Sequence, residues 1–128
     1  MDGRGPAPAQ TLAFILAGGR GERLRPLTSH RPKADVPFAG VCRLIDFTVS
    51  NCVHTGVSRI GILAQGRCDS LDRHLRRSWT AAAPEWRDRL VVLRPRHRYR
   101  GTADAVYQNV DLLQRENPAH ALVLSCDH

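Results

Sequence analysis

Short apolar runs alternate with longer amphipathic ones along this chain. Residues 11–16 (Thr-Leu-Ala-Phe-Ile-Leu) form an unbroken run closed by Ala17-Gly18-Gly19, and a run this short, bounded by glycine, predicts a buried strand rather than a helix. Residues 43–54 place Ile45, Val49, Cys52 and Val53 on one helical face, with Gly56 where a helix C-terminus takes a positive φ. Arg59–Ala64 is a second apolar strand, and residues 69–79 carry Leu71, Leu75 and Trp79 at i, i+4 and i+8 behind an Asp69/Ser70 cap. Leu90–Leu93 is a weaker strand candidate. Residues 102–116 set Val106, Val110 and Leu113 on one face, with Asp104 in the first turn where it complements the helix dipole. Residues 121–125 are a third clear strand. The alternation predicts an α/β fold of three layers, a mostly parallel sheet with right-handed crossovers. Residues 1–10, rich in Gly, Pro and Ala, read as a mobile lead-in, which leaves residues 11–128 as one structural unit.

Composition narrows the class. Of 128 residues 42% are apolar and 24% charged, which excludes disorder and collagen-like repeats as descriptions of the whole. The longest apolar run, residues 12–17, falls far short of the ~18 residues of a membrane span, so a cytoplasmic protein that contacts no membrane is expected. The net charge is +7, but 18 of the 19 basic residues are Arg and one is Lys. That skew makes the charge a weak argument for nucleic acid and singles out Lys33. Cys42, Cys52, Cys68 and Cys126 form no C-x-x-C pair, so four reduced, mostly core thiols are expected. The histidines show no metal spacing, and His54, His74 and His128 read as structural or surface residues.

Chemistry concentrates between residues 18 and 40, a long connection dense in Gly, Pro and Arg that a compact domain tolerates chiefly when it is functional. It opens Leu16-Ala17-Gly18-Gly19-Arg20-Gly21-Glu22-Arg23-Leu24. Glycines allow backbone N–H groups to face an anion, and Arg23 can fork onto phosphate oxygens. The loop lacks the Gly-Lys-Ser/Thr of a Walker A motif, and Leu24 stands in place of the third glycine of the dinucleotide fingerprint. Lys33 follows Arg23 on the same loop, and the two cations with a backbone nest suit a triphosphate. In parallel sheets ligands collect at the carboxyl ends of the strands, where this loop and Asp127 both lie.

The run from Leu16 through Arg23-Leu24-Arg25-Pro26-Leu27-Thr28 to Lys33 resembles the signature of the sugar-phosphate nucleotidyltransferases. Residues 43–52 (Arg-Leu-Ile-Asp-Phe-Thr-Val-Ser-Asn-Cys), residues 58–65 ending in Gln65, and residues 99–106 (Tyr-Arg-Gly-Thr-Ala-Asp-Ala-Val) sharpen the likeness to its glucose-1-phosphate adenylyltransferase branch. The resemblance implies a Rossmann-like nucleotidyltransferase fold, a glycogen or glucan-synthesis role, and the conversion of ATP and glucose 1-phosphate to ADP-glucose and pyrophosphate. It implies that Gly18, Gly19 and Gly21 cradle the nucleotide phosphates and that Leu16, Ala17 and Tyr99 also belong to the nucleotide-binding residues. Arg23 and Lys33 would neutralise the triphosphate and the leaving pyrophosphate. Gln65, Gly101 and Thr102 would border the adenine pocket, and Asp127 would bind Mg²⁺. A homo-oligomer is implied as well.

The chain departs from that pattern at Glu22 (usually Thr), at Ala34-Asp35 (usually Pro-Ala), at Arg98 (often Trp) and at Ser125-Cys126 (usually Ala-Gly). It also stops one residue past Asp127, so the expectation is a truncated front part of the enzyme domain, without the second metal ligand and most of the sugar pocket. Its last strand would be left as an apolar edge, giving marginal stability or self-association. Two other readings are an inactive remnant or partner subunit of such an enzyme, and a basic nucleic-acid module built on Arg94, Arg96, Arg98 and Arg100 with Tyr99 among them.

Overall fold

The computed structural model describes residues 10–19, 22–38, 40–66 and 68–127; the lead-in at residues 1–9, Gly21 and His128 lie outside them. Strand β1 (Thr11–Ala17) is followed by the long connection, which contains 3-10 turns at Glu22–Leu24 and Lys33–Asp35. A small antiparallel pair, β2 (Pro37–Phe38) and β3 (Cys42–Arg43), leads into α1 (Leu44–His54). Then come β4 (Arg59–Ala64), α2 (Asp69–Leu75) and β5 (Leu90–Leu93). The chain closes with α3 (Thr102–Tyr107), α4 (Val110–Glu116) and β6 (His120–Ser125).

The main sheet has the order β5-β4-β1-β6 with every pair parallel. Period-two alternation in β1 divides the core. Ala13, Ile15 and Ala17 face one side, where they pack with Ile45, Val49 and Cys52 of α1 and Leu71 and Leu75 of α2. Leu12 and Phe14 face the other, against Ala105 of α3 and Leu112 of α4. Helices on both faces of a parallel sheet make the three layers the sequence pattern implies. Cys52, Cys68 and Cys126 are buried, Cys42 is half-buried, and all four are free thiols.

Two helices differ from the sequence reading. Residues 102–116 form not one helix but two, broken at Gln108 and Asn109. Asn109 takes a non-helical ψ of 19° and its side-chain amide donates to Ala105 O at 2.8 Å, while Gln108 spends its side chain on His97 and Asp104. The helix expected over residues 69–79 widens after Leu75 into a π-helical turn, Arg76–Thr80, where Ala81 N–H donates to Arg76 O at 2.9 Å. The extra residue per turn brings Trp79 and His74, five apart, to one acceptor: Asp46 receives the indole N–H at 2.8 Å and His74 Nε2 at 2.7 Å. His74 is thus structural.

β6 is a sheet edge, with Leu122 40% and Val123 44% exposed. An uncovered apolar edge offers its free N–H and C=O groups to a second strand. Sedimentation velocity is therefore expected to show concentration-dependent self-association of this chain that Val123→Lys abolishes. A sharp monomer with cooperative melting above about 60 °C would contradict it. At Gly61 an added Cβ would lie 2.9 Å from Leu93 Cδ1 and 3.1 Å from Phe14 Cδ1. Gly61→Ala should therefore cost about 1–3 kcal/mol of overpacking in urea unfolding.

Candidate functional site

The chain runs outward from β1 through β4 to β5, then crosses to the other side of β1 to lay down β6. Strand order reverses at β1, and in open parallel sheets the crevice beyond the carboxyl ends at such a point is where ligands bind. The register, Ala17 beside Ala64 and Leu16 beside Ser125, puts Gly18 next to Gln65 on one side and Cys126-Asp127 on the other.

A cavity of about 890 Å³ opens there. Gly18 and Gly19 form its floor with Gln65 and Gly66, the long connection gives Arg25, Thr28 and Ser29 through Pro32, and the segment after β5 gives Pro95, His97 and Arg98. The fit at Gly18 is close: a Cβ would meet Gln65 Cβ at 3.2 Å, so a side chain there would crowd the neighbouring loop by a few tenths of an ångström. Gln65 is fixed by its carbonyl end, where Oε1 accepts the Tyr99 N–H at 2.6 Å, which leaves the amide NH₂ to donate to a ligand. No carboxylate lines the cavity among the described residues, whereas Arg25, Arg31 and Arg98 do. The arrangement suits a polyanion with a flat polar group at one end.

Of the residues the sequence singled out, Gly18, Gly19 and Gln65 line this space. Lys33 and Asp127 meet beside it, Nζ to Oδ2 at 2.6 Å. Arg23, exposed on the first 3-10 turn, is near enough that its charge opposes the rise in the Lys33 pKa that Asp127 causes. Ala17 is buried in β1, and Leu16 packs against the second core cluster. Tyr99 does not line the cavity: it is half-buried and, like Leu16, Leu93 and Val106, packs against the second core cluster, where a large apolar ring is more stable covered; its ring still passes close to Gly18, where an added Cβ would lie 3.6 Å from Cδ2, and its main-chain N–H donates to Gln65. Gly101, at φ +107°, precedes the first turn of α3, which Thr102 begins, and neither residue lines the cavity.

The sequence reading did not single out Arg25, Thr28, Ser29, His30, Arg31 or His97. The signal was present, since all but His97 lie in the suspect connection, but nothing in residue type told them from turn residues. The basic run after β5 divides in the structure. Arg94 pairs with Asp69 at 2.9 Å and Arg96 with Asp111 at 3.2 Å, whereas Arg98 turns to the cavity. The run is therefore not one uniform set of charges: two of its arginines are paired with carboxylates and a third lines the cavity. Asp35, one of the departures from the family pattern, is fully buried and held by Arg43 at 3.1 Å.

Comparison with known proteins adds family context. A profile described as "Nucleotidyl transferase" matches residues 12–128. A glucose-1-phosphate adenylyltransferase of Nitrosomonas europaea is 48% identical over 124 residues, 92% of this chain and 29% of the relative. One of Saccharophagus degradans is 49% identical over 123 residues, again 92% of this chain and 29% of the relative. This chain thus spans under a third of the length of such relatives. Among solved structures, a UDP-glucose pyrophosphorylase complexed with UDP-glucose superposes with a TM-score of 0.62 at 20% identity, covering 81% of this chain and 42% of that one, which shows a shared fold.

The Lys33–Asp127 pair has a clear electrostatic signature. Hydrogen bonds from Lys33 and then Ser125 pull the Asp127 carboxyl down to about 2. A depressed carboxylate pKa stabilises the fold fully above the ordinary aspartate value of about 4, and that contribution is lost as pH falls through the folded-state value. Both side chains are about a third exposed, so the gain in stability is small. Carboxyl ¹³C titration is expected to place the Asp127 midpoint near 2, and Lys33→Met to return it toward about 4.

Proposed function

We propose an adenylyl-transfer function, proceeding from the fact that this chain belongs to the nucleotidyl transferase family. It is the nucleotide-binding part of a machinery that converts ATP and glucose 1-phosphate to ADP-glucose and pyrophosphate, in the cytoplasm and in the service of glycogen or a related glucan. The observation that carries the reading is an arginine-lined cavity at the strand-order reversal, bordered by Gly18 and Gly19 and with no carboxylate in its lining among the described residues. Relatives that share nearly half of its residues are glucose-1-phosphate adenylyltransferases, which supports the choice of nucleotide and sugar phosphate.

The reaction is attack by a phosphate oxygen of glucose 1-phosphate on the α-phosphorus of ATP, forming the new P–O bond as the bond to pyrophosphate breaks. Little covalent help is needed from the protein; alignment and charge neutralisation supply most of the rate. The main chain at Gly18 and Gly19 comes close to the phosphates, Arg23 and Lys33 take up the charge gathering on the leaving pyrophosphate, and the Gln65 amide donates to an acceptor on the base. Arg25, Arg31 and Arg98 raise the positive potential of the cavity and draw the anion in.

Asp127 is the candidate ligand for magnesium. No cluster of three or more His, Cys, Asp or Glu side chains able to hold a metal exists among the described residues. Magnesium commonly binds through one or two carboxylates, water and substrate phosphates, so a single accessible carboxylate fits as this chain's share of the site. The ion, when bound, would supply charge neutralisation at the phosphates. Lys33, already on the same carboxylate, holds a compensating positive charge there in the ligand-free state.

Isothermal titration with ATP and Mg²⁺ tests the reading. Saturable binding is expected, weakened about tenfold or more by Arg23→Ala and by Asp127→Asn, each of which removes a charged contact. Absence of binding by a demonstrably folded chain overturns it in favour of a remnant that keeps the fold alone.

A further inference from the structure

We propose that Asp35 and Arg43 are positioning residues for Lys33, and that α1 is the ruler that sets the Lys33–Asp127 separation; the inference rests on the reading of Lys33 as part of the phosphate site. Lys33 and Asp127 are 94 residues apart in sequence, yet their charged atoms meet at 2.6 Å. Lys33 begins the turn Lys33–Asp35, and the turn's own backbone bonds are Asp35 N–H to Pro32 O at 3.0 Å and Val36 N–H to Lys33 O at 3.2 Å. So short a turn does not hold a long side chain in place by itself.

External anchors do. Arg43 Nη1 donates to both the carbonyl of Asp35, at 2.9 Å, and its Oδ1, at 3.1 Å. Asp35 is fully buried, and its other oxygen, Oδ2, has no hydrogen-bond partner, so its charge is matched through this one guanidinium among the described residues. A buried carboxylate left without its cation is strongly destabilising, which makes the turn's position depend on Arg43. Leu44 N–H, at the start of α1, adds a bond to Val36 O at 2.9 Å.

Arg43 is itself held. Its main-chain N–H donates to Asp46 Oδ2 at 2.7 Å, and Asp46 also accepts from His74 and Trp79. Five residues beyond Arg43, Thr48 Oγ1 donates to the carbonyl of Cys126 at 2.9 Å, one residue before Asp127. The start of α1 therefore grips the Lys33 turn through Arg43, and its next turn grips the end of β6 through Thr48. A rigid helix joining the two grips converts a long-range pairing into a fixed distance. Asp35, at a position where the resembled family usually has alanine, adds a side-chain grip of this chain's own.

The chain contains one lysine, so lysine-selective ¹³C/¹⁵N labelling yields a single side-chain signal that reports Lys33 alone. In the parent chain that signal is expected to sit away from free lysine because of Asp127. Arg43→Gln and Asp35→Asn should each move it toward free lysine and weaken tripolyphosphate binding about tenfold, the scale of one lost charge-assisted contact. Asp35→Ala, which removes the buried charge along with the grip, provides the same readout if Arg43→Gln does not fold. Leu90→Val, a core change in β5, is the control: it should lower the melting temperature and leave the lysine signal in place. An unmoved signal in natively folded Asp35→Ala overturns the proposal, and so does an equal movement in Leu90→Val, which would make the pair merely structural. A parent chain that shows the displaced lysine signal but binds no ATP refutes the nucleotide reading and leaves the positioning role standing.

Discussion

Strand β1 can exist in this molecule only if both of its faces and both of its edges are covered. Leu12, Ala13, Phe14 and Ile15 are all at most 1% exposed, and the strand pairs in parallel with β4 on one side and β6 on the other. A parallel partner on each side requires the chain to leave the sheet, cross a face with a helix and return, and it does so in opposite directions from β1. The reversal that makes β1 central is also what opens a crevice at its carboxyl end. The strand's burial and the position of the site are therefore one constraint. The glycine at position 18 fits the same constraint, because the strand ends so close to the loop after β4 that a Cβ there would crowd Gln65 at 3.2 Å.

Charge is distributed to match. Acidic side chains elsewhere are paired with basic neighbours: Asp69 with Arg94, Asp111 with Arg96, Glu116 with Arg59, Asp72 with Arg76. Exposed pairs of this kind add little stability. Their consequence is that these four carboxylates are neutralised away from the crevice, while the cavity holds several cations and no carboxylate among the described residues. Concave, low-dielectric walls focus such a field, so a chain whose overall basicity says little about its ligand acquires a directed positive potential at one place.

That distinction marks how far the sequence could be read. Strand positions were legible because an apolar run bounded by glycine has few alternatives, and the helices on both faces because their spacing repeats. The breaks were not legible. The π-helical turn at Arg76–Thr80 exists so that His74 and Trp79 can share Asp46, and the interruption at Asn109 exists because a side-chain amide takes a backbone acceptor. Both are tertiary choices that override local propensity. In the site, Gly18, Gly19 and Gln65 line the cavity as their motifs suggest. Tyr99 does not, since an aromatic in a motif can serve the ligand or the core, and spacing does not decide between them. Arg98 was recognised as a departure and as part of a basic run, but its orientation toward the cavity depends on which of its neighbours found an acidic partner.

Asp35 shows how such a departure is absorbed. A carboxylate two residues from Lys33 would, on the surface, compete with a phosphate for the lysine. Buried against Arg43 it cannot, because the guanidinium takes one oxygen and the main-chain carbonyl together and the side chain is closed off from solvent. Desolvating a carboxylate is costly, and one ion pair with an unsatisfied second oxygen does not return the whole cost. The turn is less stable than one with a small apolar residue there, but it is more tightly specified. A site whose work is to hold charges at fixed distances gains from that exchange, since a loop that carries a cation contributes to binding only insofar as the cation is already where the anion will be.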